Sequence, residues 1–259
     1  MITFQSESRF FSRTNAGKYP LDVTEIRSAF ALSETLLEKV RRFRDERLAR
    51  IVADETPLAL EASPKIVLHV LPISVFEPGT QIDLVFVSEQ VARLQPIYSG
   101  GWNHRYNFDG FLTYGTSAQT SLGSSYLQIF RHGAIEAVEC RLMYGDDKKL
   151  IPSVVFEGKL ISAVGHYLAL ERDFGVNPPL FVMLSLLGVK GYKMATRHAW
   201  PDEIHPIDRD TLILPEILVE DYGVNTDRIL HPTFDAIWQA AGWSGSLHYD
   251  KEGKWVGPH

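Results

Sequence analysis

The longest uninterrupted hydrophobic periodicity in the chain lies near its start. From Val23 to about Ala53 no Gly or Pro intervenes, and Ile26, Phe30, Leu37, Val40, Phe43, Leu48 and Ile51 recur at helical spacing, which predicts one long amphipathic helix. Asp22 followed by Glu25 has the form of a capping box that marks its beginning. Ahead of it, Ile2 to Arg13 reads as a strand stopped by the turn residues Asn15-Ala16-Gly17 and Pro20. A second long helix is predicted from about Ser153 to Phe174, with Val155, Leu160, Val164, Tyr167 and Leu168 among its buried positions and Gly175 past its end. A short helix from about Asp83 to Leu94 and a closing helix from Pro232 to Ala241 complete the helical set.

Strand patterns occupy the intervals. Lys65 to Leu71 reads as a buried strand, and Leu180 to Val189 is apolar throughout, as a strand covered on both faces must be. Leu212 to Val219 is broken by Pro215, which places it at an edge. Tyr126–Phe130 and Ile135–Tyr144 flank Arg131-His132-Gly133-Ala134, a hairpin with Gly where positive φ is needed. If Arg131 faces Ala134, then Ile129 faces Glu136 and Leu127 faces Val138. Glu136 then sits on an otherwise apolar face, diagonal to Arg131. Such an acid requires a partner, and three readings stay open: an ion pair with Arg131, a catalytic carboxylate, or a metal ligand. Cys140 shares the face with Val138 and Leu142 and reads as a buried, inert thiol. Together these elements predict an α+β fold, an antiparallel or mixed sheet packed by two long helices. Residues 1–56 and 57–259 form its two parts.

Composition narrows the class without naming an activity. With 259 residues, 45% hydrophobic and 22% charged, the chain is neither collagenous, nor a disulfide-stapled miniprotein, nor disordered. A single cysteine excludes an internal disulfide and any CxxC site. The first residues, MITFQSESRFF, lack the apolar core of a signal peptide, and no apolar run approaches the ~20 residues of a membrane span. A cytoplasmic protein with no membrane partner is expected. The net charge of −6 is opposite in sign to that of most dedicated nucleic-acid binders. Its distribution is uneven: Met1 to Thr56 holds ten basic and nine acidic side chains, so the acid excess lies downstream.

Four segments could carry chemistry. Lys39 to Arg50 holds six cations against two anions, but they scatter around the helical wheel, and Arg47 falls on the apolar stripe between Val40, Phe43 and Ile51. That segment is either a solvated helix with one buried or interfacial Arg or a phosphate-contacting face, with Arg41, Arg42 and Arg44 as contacts. Trp102 to Gly110, read as a strand, puts Trp102, His104, Tyr106 and Phe108 on one face and Arg105 on the other. This alternation suits a base-stacking platform using His104, Arg105 and Tyr106, or a strand whose aromatics are simply buried. The loop from His198 to Asp208 is dense in potential ligands, yet its spacing matches no standard metal pattern, and no metal or other cofactor is expected. Asp109, Glu136, His198 and His205 would make a composite hydrolase or nuclease site only if folding brought them together. Dinucleotide, P-loop and GxSxG motifs are missing.

Arg9-Phe10-Phe11-Ser12-Arg13, Gly17-Lys18-Tyr19-Pro20-Leu21-Asp22-Val23 and Glu25-Ile26-Arg27 resemble the closing strand and following helix of the Schlafen AlbA-like DNA-binding domain. Phe43 to Ile51, Asn107-Phe108-Asp109-Gly110 and Phe130 to Glu136 resemble the C-terminal region that follows that domain in one bacterial subgroup. The resemblance implies a bacterial protein linked to nucleic-acid transactions or defence, acting as a non-enzymatic accessory or binding module. It also implies that the AlbA-like domain proper would lie ahead of Met1, so its nuclease residues and main DNA-binding surface are not carried over. A strand left without the rest of its sheet would then seek cover from a homodimer or protein partner, contacting Phe4, Phe10, Phe11, Phe30 and Leu37.

Overall fold

The computed structural model describes residues 11–14, 17–20, 23–143, 148–196 and 205–257, with side chains from residue 35 onward. The chain divides into two units, Met1–Glu46 and Arg47–His259. In the first unit β1 (Phe11–Thr14) pairs antiparallel with β2 (Gly17–Pro20), Phe11 opposite Pro20 and Thr14 opposite Gly17. The strand expected around Arg13 therefore has its partner within the chain. Helix α1 (Val23–Val52) then begins and ends within a residue of the predicted limits, and its last turn, from Arg47, belongs to the second unit. Asp22 of the capping box, with Phe4 and Phe10, lies outside the described residues.

The second unit is built on an eight-stranded sheet. In chain order its strands are β3 (Lys65–Pro72), β4 (Asn103–Tyr106), β5 (Gly110–Thr116), β6 (Gly123–Phe130), β7 (Ile135–Glu139), β9 (Leu180–Leu187), β11 (Thr211–Ile213) and β12 (Ile217–Val219). Their spatial order is β11-β9-β3-β7-β6-β5-β4, with β12 also on β9, and every pairing is antiparallel. A separate two-stranded parallel ladder joins β8 (Leu150–Pro152) to β10 (Lys193–Ala195). The helices of this unit are α2 (Leu84–Glu89), α3 (Ser153–Asp173) and α4 (Thr226–Ala240). The α+β expectation holds, with an antiparallel main sheet.

Alternation along the strands creates two cores. Ile66, Leu68 and Val70 of β3, Leu127 and Ile129 of β6, and Ile135 and Ala137 of β7 face α3 and α4 and form the larger one with Phe156, Leu160, Val164, Phe234 and Trp238. Val67, Tyr126, Val138 and Cys140 point the other way and pack with Leu48 and Ile51 from the end of α1. All eight residues of β9 are buried, as its unbroken apolar run demands. Pro215 separates β11 from β12, and both pair with the outer side of β9.

Four expectations are corrected. The β6–β7 hairpin is one residue out of the predicted register: Ile129 faces Ile135, Gln128 faces Glu136 and Leu127 faces Ala137. Phe130 N–H donates to the Ala134 carbonyl, so the loop has three residues with Gly133 at φ +94°, a bulged turn rather than a two-residue one. Helix α4 starts six residues earlier than Pro232, because burial of Leu230 outweighs the N–H that proline cannot supply. Val155 is exposed, turned away from the buried stripe of Phe156 and Leu160. Finally, only Asn103–Tyr106 of the aromatic segment is strand, all four residues are exposed, and Phe108 stands 93% exposed in the following turn. Its rings are not core.

Candidate functional site

Glu136 is fully buried on β7, and the structure shows how it is tolerated. Its Oε1 accepts from Arg47 Nη2 (2.8 Å) and Tyr126 Oη (2.7 Å), and its Oε2 from Arg47 Nε (2.7 Å) and His69 Nε2 (3.0 Å). The Arg47 fork is bidentate, and its guanidinium lies 5.0 Å from the Phe130 ring centroid. Burial by itself pushes the carboxyl up, but the hydrogen bonds from Arg47 and His69 and the guanidinium charge outweigh it and hold Glu136 at about 2. The same carboxylate, after the opposing effect of burial, raises the Arg47 pKa. Both carboxylate oxygens are thus engaged by protein groups, and the arrangement is a structural ion pair.

The expected partner was Arg131, and the observed one is Arg47. The one-residue shift at Gly133 puts Arg131 in the turn, where Nε donates to Phe108 O (2.9 Å) and Nη2 to Asn107 O (3.4 Å). Arg47 was recognisable as a misfit on an apolar helix stripe and Glu136 as a misfit on an apolar strand face; their match is a long-range fact. His69 and Tyr126, which complete the cluster, sit in strands whose neighbours are apolar and gave no separate signal. Cys140 is buried as expected, its thiol pushed up to about 12 chiefly by burial. Leu142 has left its face for the other core.

Of the composite acid–imidazole residues, Asp109 and His205 lie in separate elements, and Asp109 is near enough to Arg47 to raise its pKa. Asp109 sits in the β4–β5 turn, where its carbonyl accepts from Arg131 N. His205 lies against Gly242, just beyond α4 on the other side of the sheet, and His198 is outside the described residues. Among the described residues no group of three or more His, Cys, Asp and Glu could hold a metal ion.

The open edge of the sheet is different in kind. Asn107 and Gly110 exchange both backbone hydrogen bonds, N–H of Asn107 to Gly110 O at 3.0 Å and the reverse at 3.3 Å. By the alternation of an antiparallel ladder, Arg105 and Asn103 then bond to β5, while the N–H and C=O of His104 and Tyr106 point away from it. Among the described residues no strand lies on that side of β4. Gly110, at φ +153°, allows the turn to close, since a Cβ there would stand 2.1 Å from the Ile129 carbonyl oxygen.

Three rings ornament this edge. His104 stacks on Phe111 (centroids 5.8 Å, 29°) and Tyr106 meets the same ring edge-on (5.0 Å, 76°), so both are anchored at their base yet exposed. Phe108 follows in the turn that Arg131 clamps. Arg105, on the opposite face, donates to the Pro57 carbonyl (2.6 Å) and lies 5.9 Å from the Tyr114 ring centroid, with no ion pair among the described residues. Of the other predicted contacts, Arg41, Arg42 and Arg44 lie on α1 in the first unit, with Arg44 Nε 3.0 Å from Asp45 Oδ1.

Comparison of the chain with protein-family models, with curated proteins and with solved structures finds no match. No helix among the described residues is long and apolar enough to cross a membrane.

Proposed function

We propose that the protein is a non-enzymatic binding module that engages single-stranded nucleic acid along the open edge of β4, in nucleic-acid transactions or defence in a bacterial cytosol. The observation that carries this reading is the row of solvent-exposed rings, His104, Tyr106 and Phe108, in the strand and turn that Arg131 clamps, with Arg105 on the other face of the same strand. Each base stacked on such a ring contributes about 1–3 kcal/mol, largely regardless of sequence. Arg41 and Arg42 supply a second, electrostatic contribution from α1. Arg44, buried and paired with Asp45, takes no part in it.

Fluorescence anisotropy with labelled single-stranded DNA and RNA tests the reading. Binding is expected at ~50 mM salt and falls steeply by ~200 mM. The Tyr106→Ala, Phe108→Ala double variant weakens it for all sequences alike. Absence of binding to either strand type at the lower salt removes the proposal. The same reading retains self-association, or a protein partner, through the N-terminal hairpin and α1: light scattering at micromolar concentration is expected to give more than the monomer mass.

A further inference from the structure

A cleft of about 510 Å3 opens between the loop that follows α2 and the outer face of α3, lined by Gln95, Tyr98, Ser99, Lys159, Ser162 and His166 among others. Its walls are fastened on both sides. Arg93 O accepts from His166 Nε2 (2.5 Å), Gln95 O from Tyr167 Oη (3.0 Å), Leu94 O from Thr113 Oγ1 (2.6 Å) and Val91 O from Trp102 Nε1 (2.9 Å), while Arg93 pairs with Asp173. A cavity framed this way exists before any ligand arrives.

Within this frame Tyr98 is held at φ +56°, a left-handed conformation that a bulky residue rarely adopts. Gln95 Nε2 donates to Ser99 O (2.6 Å) and Ser99 Oγ to Gly101 O (2.7 Å), so the loop's own hydrogen bonds impose it. The strained residue does not bury its ring, which stays 50% exposed at the cleft. Backbone strain kept for a solvent-facing aromatic is a feature of ligand clamps.

The charges in the cleft agree. None of its lining residues is acidic. Lys159 places its ammonium 5.7 Å from the Tyr98 ring centroid and makes no ion pair among the described residues, and the Ser162 hydroxyl one turn along α3 has no hydrogen-bond partner there either. His166 donates through Nε2 to a carbonyl, which leaves Nδ1 as its second polar atom. A flat ring wall, a cation with no ion-pair partner among the described residues and the unused Ser162 hydroxyl, within a space of this size, match a planar heteroaromatic ring carrying a phosphate.

We propose that this cleft binds a nucleoside monophosphate, with the base against Tyr98 and the phosphate on Lys159 and Ser162. The nucleotide is either free or the terminal residue of a strand. The site is separate from the β4 edge and stands or falls without it.

Isothermal titration of the full chain with the four ribonucleoside monophosphates, with the four corresponding ribonucleosides and with inorganic phosphate tests the assignment. At least one monophosphate is expected to saturate the protein at a one-to-one ratio, with its nucleoside and inorganic phosphate each at least tenfold weaker. Lys159→Met and Tyr98→Gly each weaken binding at least tenfold. Tyr98→Gly keeps a thermal midpoint at or above that of the parent, because glycine relieves the strain; loss of binding is then not loss of fold. The Tyr106→Ala, Phe108→Ala variant retains full nucleotide affinity. A 5′-phosphorylated tetranucleotide that binds as well as the monophosphate, and equally loses affinity with Lys159→Met, places a strand end in the cleft; a weaker one assigns the free nucleotide. No saturable binding of any monophosphate at millimolar concentration, or binding indifferent to both cleft substitutions, overturns the proposal.

Discussion

Glu136 and Glu171 are the same residue type, both wholly buried in the second unit, and they occupy opposite electrostatic conditions. Glu136 lies between the sheet and the end of α1 and receives four hydrogen bonds from Arg47, His69 and Tyr126. Glu171 lies on α3, and neither of its carboxylate oxygens has a hydrogen-bond partner among the described residues. Burial therefore raises the Glu171 pKa well above the ordinary carboxylate range, whereas at Glu136 the partners overcome the same burial and hold it at about 2. Burial favours the neutral form of Glu171, whereas the donors around Glu136 favour its charged form. The difference shows that depth alone does not decide the state of a buried acid; the donors within reach decide it. Glu157 illustrates the middle ground: Trp238, Ser246 and Trp255 all donate to it, yet without a cation its pKa remains raised by burial.

The largest effect comes from breaking the favourable half. Arg47→Met leaves Glu136 buried without its cation and is expected to cost about 3–5 kcal/mol, measured by urea unfolding. The paired replacement Arg47→Met, Glu136→Met recovers most of that loss, since a matched apolar pair has no charge to strand. Should the double variant be no better than the single one, the ion pair is not what Arg47 contributes.

The unfavourable half is repaired by removal. Glu171→Met is expected to stabilise the protein by about 1–3 kcal/mol near neutral pH, the usual penalty of an unsatisfied buried polar group. The pH dependence separates the two acids. Because the folded pKa of Glu171 lies above its unfolded value of about 4.5, the folded state holds the extra proton, and stability declines as pH rises beyond that value. Glu136, with its folded pKa depressed to about 2, contributes stability above pH ~4.5 that is lost as pH falls toward 2. Thermal melts of the parent between pH 3 and 9 are expected to show both slopes, and Glu171→Met flattens only the alkaline one. An unchanged alkaline slope in that variant would assign it to another group.

The smallest effect sharpens the account of Glu136 itself. Tyr126→Phe removes one of four donors while keeping the ring in its core, and a hydrogen bond to a charged group is worth about 1.5–3 kcal/mol. With three donors remaining, the lower end of that range is expected, and the acid limb of the stability profile moves to higher pH. A Tyr126→Phe loss as large as that of Arg47→Met would mean that the neutral donor, not the guanidinium, holds the carboxylate.

These residues also mark how far the chain could be read. Arg47 and Glu136 each stood out, because a charge on an apolar stripe violates a local pattern. Sequence distance points Glu136 to the near cation, Arg131, and a one-residue change of turn type at Gly133 redirects every side chain beyond it. Glu171 had no signal, since a carboxylate near the end of a helix reads as solvated, whereas the folded chain buries it wholly. Tyr98 was equally invisible: a Tyr in a Pro- and Gly-flanked loop has nothing in its letters to announce a left-handed backbone.

What the sequence determined by itself was therefore local. The limits of α1 and α3, the buried strand β9 and the Pro215 break follow from side-chain periodicity and from the backbone limits of Pro and Gly, which act over a few residues. The tertiary structure decided which side chains meet. Arg47 reaches Glu136 across 89 positions, and β4 becomes an edge only because no other described strand lies beside it. Such pairings depend on the order of strands in the sheet and on register. No window of sequence contains them, because the hydrogen bonds and burial that select them form only when distant segments are already packed.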